Sequence, residues 1–117
     1  MKALSLTVVI QVSNLEASVK YYTEVLGFTL DFTFGDYAGL FYNEAAIHLS
    51  GPTLDGIKKP VGSALFSIDC DEIDNYFEEI KARGAIILGP PADRYYGVRD
   101  CAINDLDGNT IVFGKAI

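Results

Sequence analysis

The chain has 117 residues, half of them hydrophobic and 21% charged, a composition that excludes a disordered segment and predicts a folded globular domain. Nine basic against sixteen acidic residues give a formal net charge of −7, which argues against nucleic acid, whose phosphates need a basic patch, and favours a cationic partner. No apolar run is long enough to span a membrane, no cleavage site follows the first one, and Cys70 and Cys101 show no framework spacing, so a cytoplasmic location with both cysteines as small buried residues is expected.

Residues 5–12 alternate. Leu4, Leu6, Val8, Ile10 and Val12 share one face and Ser5, Thr7, Val9 and Gln11 the other, which predicts a strand packing its apolar face on helices. Residues 13–26 then predict a helix. Ser13 and Glu16 have the spacing of a capping box, Leu15, Val19, Tyr22 and Leu26 form one stripe, and Gly27 is placed as a C-cap. Three strands follow over 28–34, 37–42 and 45–50, separated by turn signals at Gly35-Asp36 and Asn43-Glu44. The segment SGPTLDGIKKPVG reads as a linker.

The pattern then repeats. Residues 63–68 predict a strand with Ala64, Phe66 and Ile68 opposite Ser63, Leu65 and Ser67; residues 69–83 predict a helix opened by Asp69 and Glu72 and stopped at Gly84. A strand over 85–88, a Pro-rich loop carrying Tyr95 and Tyr96, a strand over 98–104, a hairpin turn at Asp107-Gly108 and a strand over 110–114 complete it. Strand, helix, three strands, twice over, predicts an α+β fold. Paired βαβββ units, spanning about 1–51 and 62–117 of one domain, form a curved mixed-sheet cup with helices on the outer face.

Over essentially the whole chain this plan resembles the glyoxalase and bleomycin-resistance (vicinal oxygen chelate) superfamily. NLEASVKYYTEVLGF is similar to its first helix and LGF exit, and INDLDGNTIVFG to its DPDGN hairpin with Leu106 in place of Pro. The resemblance puts the usual metal-ligand positions of its enzymes at Thr7, His48, Ser63 and Val112. Only His48, the sole histidine, is a donor suited to a divalent ion there, so a metal-free protein without cofactor is expected. LGFTLDFTFGDYAG and YYGVRDCAINDLDGN resemble the bleomycin-resistance proteins more narrowly, with an inserted Val98 and Cys101 in place of an aromatic. That implies a cytoplasmic homodimer holding a small molecule in a groove between subunits, with Asp31, Phe32, Tyr37, His48, Tyr96, Arg99 and Asp100 as ligand-binding residues.

The residue chemistry fits a cationic, aromatic ligand of the bleomycin type. Phe32, Tyr37 and Tyr96 offer faces for stacking, each pair worth roughly 0.5–1.5 kcal/mol beyond area burial, and Asp31, Asp36 and Asp100 offer charge to a cationic tail. Sequestration of an antibiotic needs no chemistry. A second reading is a metal-independent enzyme using His48 as general base, and a third is an interaction module presenting a surface.

Overall fold

The computed structural model describes residues 1–117. Its elements are β1 (Val8–Gln11), α1 (Leu15–Lys20), β2 (Thr29–Thr33), β3 (Tyr37–Tyr42), β4 (Ala45–Ser50), β5 (Leu65–Asp69), α2 (Asp74–Ala82), β6 (Ile86–Asp93), β7 (Val98–Asn104) and β8 (Thr110–Ala116). They form two four-stranded mixed sheets with the same internal order, β1-β4-β3-β2 and β5-β8-β7-β6. In each, the first strand runs parallel to the last and the remaining pairs are antiparallel. The α+β fold of paired βαβββ units is as the sequence predicts. No helix is long and apolar enough to cross a membrane.

The strand alternation resolves into a core face and an open face. Ile10, Ala38, Leu40, Ile47 and Leu49 of the first sheet and Cys101, Ile103, Ile111 and Phe113 of the second are buried with the helix residues Tyr22, Phe77 and Ile80. Positions between them face away from the helices.

Several element ends differ from expectation. The first strand starts at Val8 rather than residue 5, and Leu4 and Leu6 are 86% and 83% exposed instead of packed on a helix. β4 pairs only from Val8 onward, which leaves the earlier residues without a neighbour. Asn14, not Ser13, caps α1: its Oδ1 accepts from the Ala17 N–H at 3.0 Å. Ser13 is drawn away by Asp107, whose carboxylate accepts from its backbone N–H at 3.0 Å and from its hydroxyl at 2.5 Å. α2 begins at Asp74, five residues later than Asp69; Glu72 accepts from the Tyr76 N–H at 3.1 Å, so the box with Asp69 does not form. β6 runs on through Pro90-Pro91 to Asp93, because two register shifts absorb positions that lack a donor. Gly27 and Gly84 close the helical segments with φ of 87° and 98°, the left-handed conformation expected of them.

The first helix continues as a π-helical turn over Tyr21–Val25. Widening the turn lets two adjacent side chains, Tyr21 and Tyr22, both be buried. They carry the first half into the second. Tyr21 donates to the Asn104 carbonyl at 2.6 Å and accepts from the Ile86 N–H at 3.1 Å, while Tyr22 donates to the Asp105 carboxylate at 2.9 Å. In the reverse direction Tyr76 of α2 donates to the Leu26 carbonyl at 2.7 Å. Asp105 also accepts from the backbone N–H groups of Asp107 and Asn109 and from the Asn109 side chain. The LDGN turn is therefore a buried polar lock as well as a hairpin, and its carboxylate lone pairs are all directed at donors.

Candidate functional site

The open face of the first sheet carries one row of cross-strand neighbours, Val9–His48–Gly39–Phe32, spanning all four strands. Tyr37 lies two positions from Gly39 on the same face of β3, which brings three aromatic rings together. Phe32 and His48 have centroids 5.3 Å apart, Tyr37 and His48 5.2 Å, both edge to face, and Phe32 and Tyr37 are 6.5 Å apart with planes inclined at only 26°. Tyr37 Oη and His48 Nδ1 are joined by a 2.7 Å hydrogen bond. Burial pushes the Tyr37 hydroxyl above its ordinary value, so it is a protonated phenol at neutral pH.

Gly39 is what allows this cluster. A Cβ placed there would lie 2.2 Å from Cε1 of Phe32, so the missing side chain is the space the ring occupies. The bulge between Leu30 and Phe32 turns the ring onto that face. Phe32 remains 40% exposed, which leaves it available to a ligand.

The other expected site residues fall elsewhere. Asp31 sits at the β2 bulge and is exposed. Asp100 is on the open face of the second sheet, where Arg94 Nε donates to its carboxylate at 2.8 Å and the Tyr96 hydroxyl lies 3.5 Å from it. Tyr95 and Tyr96 are exposed in the β6–β7 turn with centroids 5.0 Å apart. Arg99 points to the opposite, helix-bearing side. It is paired with Asp74 at 2.7 Å and Asp93 at 3.1 Å, and neighbouring strand positions must face opposite ways. Asp36 accepts from the Thr53 N–H and hydroxyl, both at 2.8 Å, and these bonds hold its carboxyl below the usual range.

Two residues that the sequence reading does not count among the site residues matter here. Gly39 seats Phe32, a role visible only once the register is known. Arg94 neutralises Asp100, and nothing in their spacing announces that pair. In the second sheet the row matching Val9–His48–Gly39–Phe32 is Ser67–Val112–Ala102–Gly89. The row of the first sheet is aromatic, whereas the matching row of the second is built of smaller side chains.

The donor set does not fit the divalent metal of the superfamily's enzymes. Of the four positions, His48 is engaged by Tyr37, the Ser63 hydroxyl donates to the Pro60 carbonyl at 2.6 Å, and Val112 has no donor atom. Nowhere in the chain do three His, Cys, Asp or Glu side chains converge on a common point.

Comparison with known proteins agrees with this architecture. Residues 5–113 match the family model described as Glyoxalase/Bleomycin resistance protein/Dioxygenase superfamily. The chain is 31% identical to bleomycin resistance proteins of Geobacillus stearothermophilus and Staphylococcus aureus, over alignments of 123 residues covering 91% of this chain and 92% of each relative. Among solved structures it is similar in fold to TnmS3, an antibiotic binding protein from Streptomyces sp. CB03234 (TM-score 0.80, 22% identity, 99% of this chain and 98% of that one). TioX from Micromonospora sp. ML1 is similar too (TM-score 0.83, 20% identity, 98% and 100%). With the motifs, the two βαβββ units and a family match over nearly the full length in agreement, the chain belongs to the glyoxalase/bleomycin resistance protein/dioxygenase superfamily.

Proposed function

We propose that this protein is a cytoplasmic, metal-free antibiotic-binding protein that sequesters a flat, cationic ligand of the bleomycin type without converting it. The observation that carries this reading is the Phe32–Tyr37–His48 cluster on an open sheet face. Stacking faces and a polar edge are what such a ligand needs. The relatives named as bleomycin resistance proteins support it, as does the net charge of −7.

The groove forms between two copies. Val9, Leu65, Ile86 and Leu88 are exposed on the sheets, with Leu65 73% accessible, and open apolar faces of this kind mark an interaction surface. In an isologous dimer the aromatic face of one protomer is set against the open face of its partner's second sheet, giving two equivalent grooves. This arrangement also accounts for the division of the expected contacts. Phe32, Tyr37 and His48 lie on one sheet, Asp100 on the other and Tyr96 in the turn before it, so on this reading a partner completes the site.

The test is isothermal titration of the protein with bleomycin, with light scattering for the oligomeric state. Saturable binding near one drug per subunit at micromolar affinity or tighter (about −8 kcal/mol) by a dimer supports the reading; a monomer, or no heat and no thermal shift, overturns it. The Tyr37–His48 hydrogen bond favours one other reading, an oriented general base. It requires product formation from a bound substrate that His48→Ala abolishes.

A further inference from the structure

A cleft of about 350 Å³ lies on the helix-bearing side of the molecule, away from the open faces of the sheets. Its floor is aromatic. Tyr76 of α2 stands edge-on to Tyr42 with centroids 5.8 Å apart and packs against Phe113 at 4.9 Å. The Tyr76 hydroxyl is already spent on the Leu26 carbonyl. Asp71, Glu72 and Glu79 line the same cleft, and no Lys, Arg or His is in the lining.

None of these three carboxylates makes an ion pair. The salt bridges of the chain lie elsewhere, at Lys20–Glu24, Arg94–Asp100 and Arg99 with Asp74 and Asp93. Arg83, which also lies near Tyr76, is turned to the Val25 carbonyl at 2.8 Å. An apolar, aromatic-floored cavity edged by unneutralised carboxylates is complementary to one chemistry, a cation carried on an apolar body. Ring faces and carboxylates both attract positive charge; the rings do so more strongly where water is partly excluded, and Asp71, Glu72 and Glu79 stand exposed at the rim.

We infer that this cleft is a second binding site, separate from the groove between copies, for a small arylalkyl ammonium. The aryl group lies against Tyr42, Tyr76 and Phe113 and the ammonium is held at the acidic rim that Asp71, Glu72 and Glu79 form along the cleft. The volume suits a ligand of that size, at the lower end of the usual range for small-molecule sites. The site belongs to one chain and needs no partner, so it stands whether or not the antibiotic reading holds. Cys70 is part of the wall and reports occupancy, since Cys101 is fully buried.

The probe is 2-phenylethylammonium, with neutral 2-phenylethanol as control, measured by titration and by the rate of Cys70 alkylation. The expected result is submillimolar binding of the amine that slows Cys70 alkylation, binding of the alcohol weaker by at least about tenfold, and the same loss for the amine in Asp71→Asn/Glu72→Gln/Glu79→Gln. Glu72→Gln keeps an acceptor for the Tyr76 N–H, and circular dichroism verifies the fold of the variant. Phe32→Ala, which disables the other face, leaves all of this unchanged. The inference is overturned by equal binding of amine and alcohol, by binding that Phe32→Ala removes and the charge variant keeps, by unprotected Cys70 at saturation, or by no binding at millimolar amine.

Discussion

Tyr37 Oη and His48 Nδ1 lie 2.7 Å apart on adjacent antiparallel strands, with the ring of Phe32 edge-on to His48 at 5.3 Å. The hydrogen bond fixes the orientation of the histidine ring, and Phe32 and Tyr37 then present nearly parallel planes beside it. A rigid aromatic platform loses little entropy when a flat ligand stacks on it.

The platform sets the first expectation. Tyr37→Ala removes both a stacking face and the partner of His48, and Tyr96→Ala removes an exposed ring of the β6–β7 turn. Each weakens bleomycin binding by roughly tenfold, the scale of one lost aromatic contact. Both leave the thermal midpoint intact, because neither ring belongs to the buried core. Titration calorimetry beside a thermal melt checks this, and unchanged affinity in an intact fold removes the residue from the site.

Gly39→Ala separates binding from folding in another way. The new methyl would collide with the Phe32 ring at 2.2 Å, and a half-exposed ring yields by swinging off the sheet. Stability falls by about 1 kcal/mol, the lower end of overpacking costs, while the stacked platform is lost. Urea denaturation is therefore expected to show a small change and drug titration a large one; the opposite ranking rejects the role assigned to Gly39.

Asp105→Ala is expected to be the most damaging single change discussed here. Asp105 is 2% exposed, and its loss strands the Tyr22 hydroxyl, the Asn109 side chain and two backbone N–H groups. Leaving buried donors unpaired costs about 1–3 kcal/mol each, partly relieved by entering water, so a total of about 3–5 kcal/mol is expected. The urea midpoint measures it, with Asp105→Asn in between because it keeps acceptor atoms.

Acid stability has a defined sign. Thr53 hydrogen bonds hold the Asp36 carboxyl below its ordinary value, and the Arg99 guanidinium does the same for Asp74. A depressed folded value adds stability that is present above the unfolded carboxyl value, about 3.9, and disappears as pH falls through the lower folded values. Asp36→Asn and Asp74→Asn are each expected to lower the melting temperature at pH 7 and to lower it less near pH 2.5, which flattens the acid limb. An equal loss at both pH values excludes the carboxylate as the cause.

How much was legible in the sequence depends on how local each signal is. The helix stripes, the stop glycines and the hairpin turns are set within a few residues, and they appear where expected. The misplaced ends have a long-range cause: Ser13 has the side chain of a cap, but Asp107, distant in sequence, competes for it. The same holds for the site. Alternation placed His48 on the open face, and the motif pointed to Phe32 and Tyr37. The seat provided by Gly39 and the turning of Arg99 toward Asp74 depend on register and on which element packs beneath.

By itself, then, the sequence determined the doubled strand-helix-strand plan and the family, because periodicity, turn chemistry and motif identity do not require knowing what touches what. Only the tertiary structure decided that Tyr21, Tyr22 and Tyr76 bind the two halves to each other, that three aromatic rings meet above one glycine, and that Arg99 and Asp100 lie on opposite faces of the other sheet. Those outcomes depend on side chains far apart in the chain competing for the same buried donors, acceptors and space, and no local pattern encodes that competition.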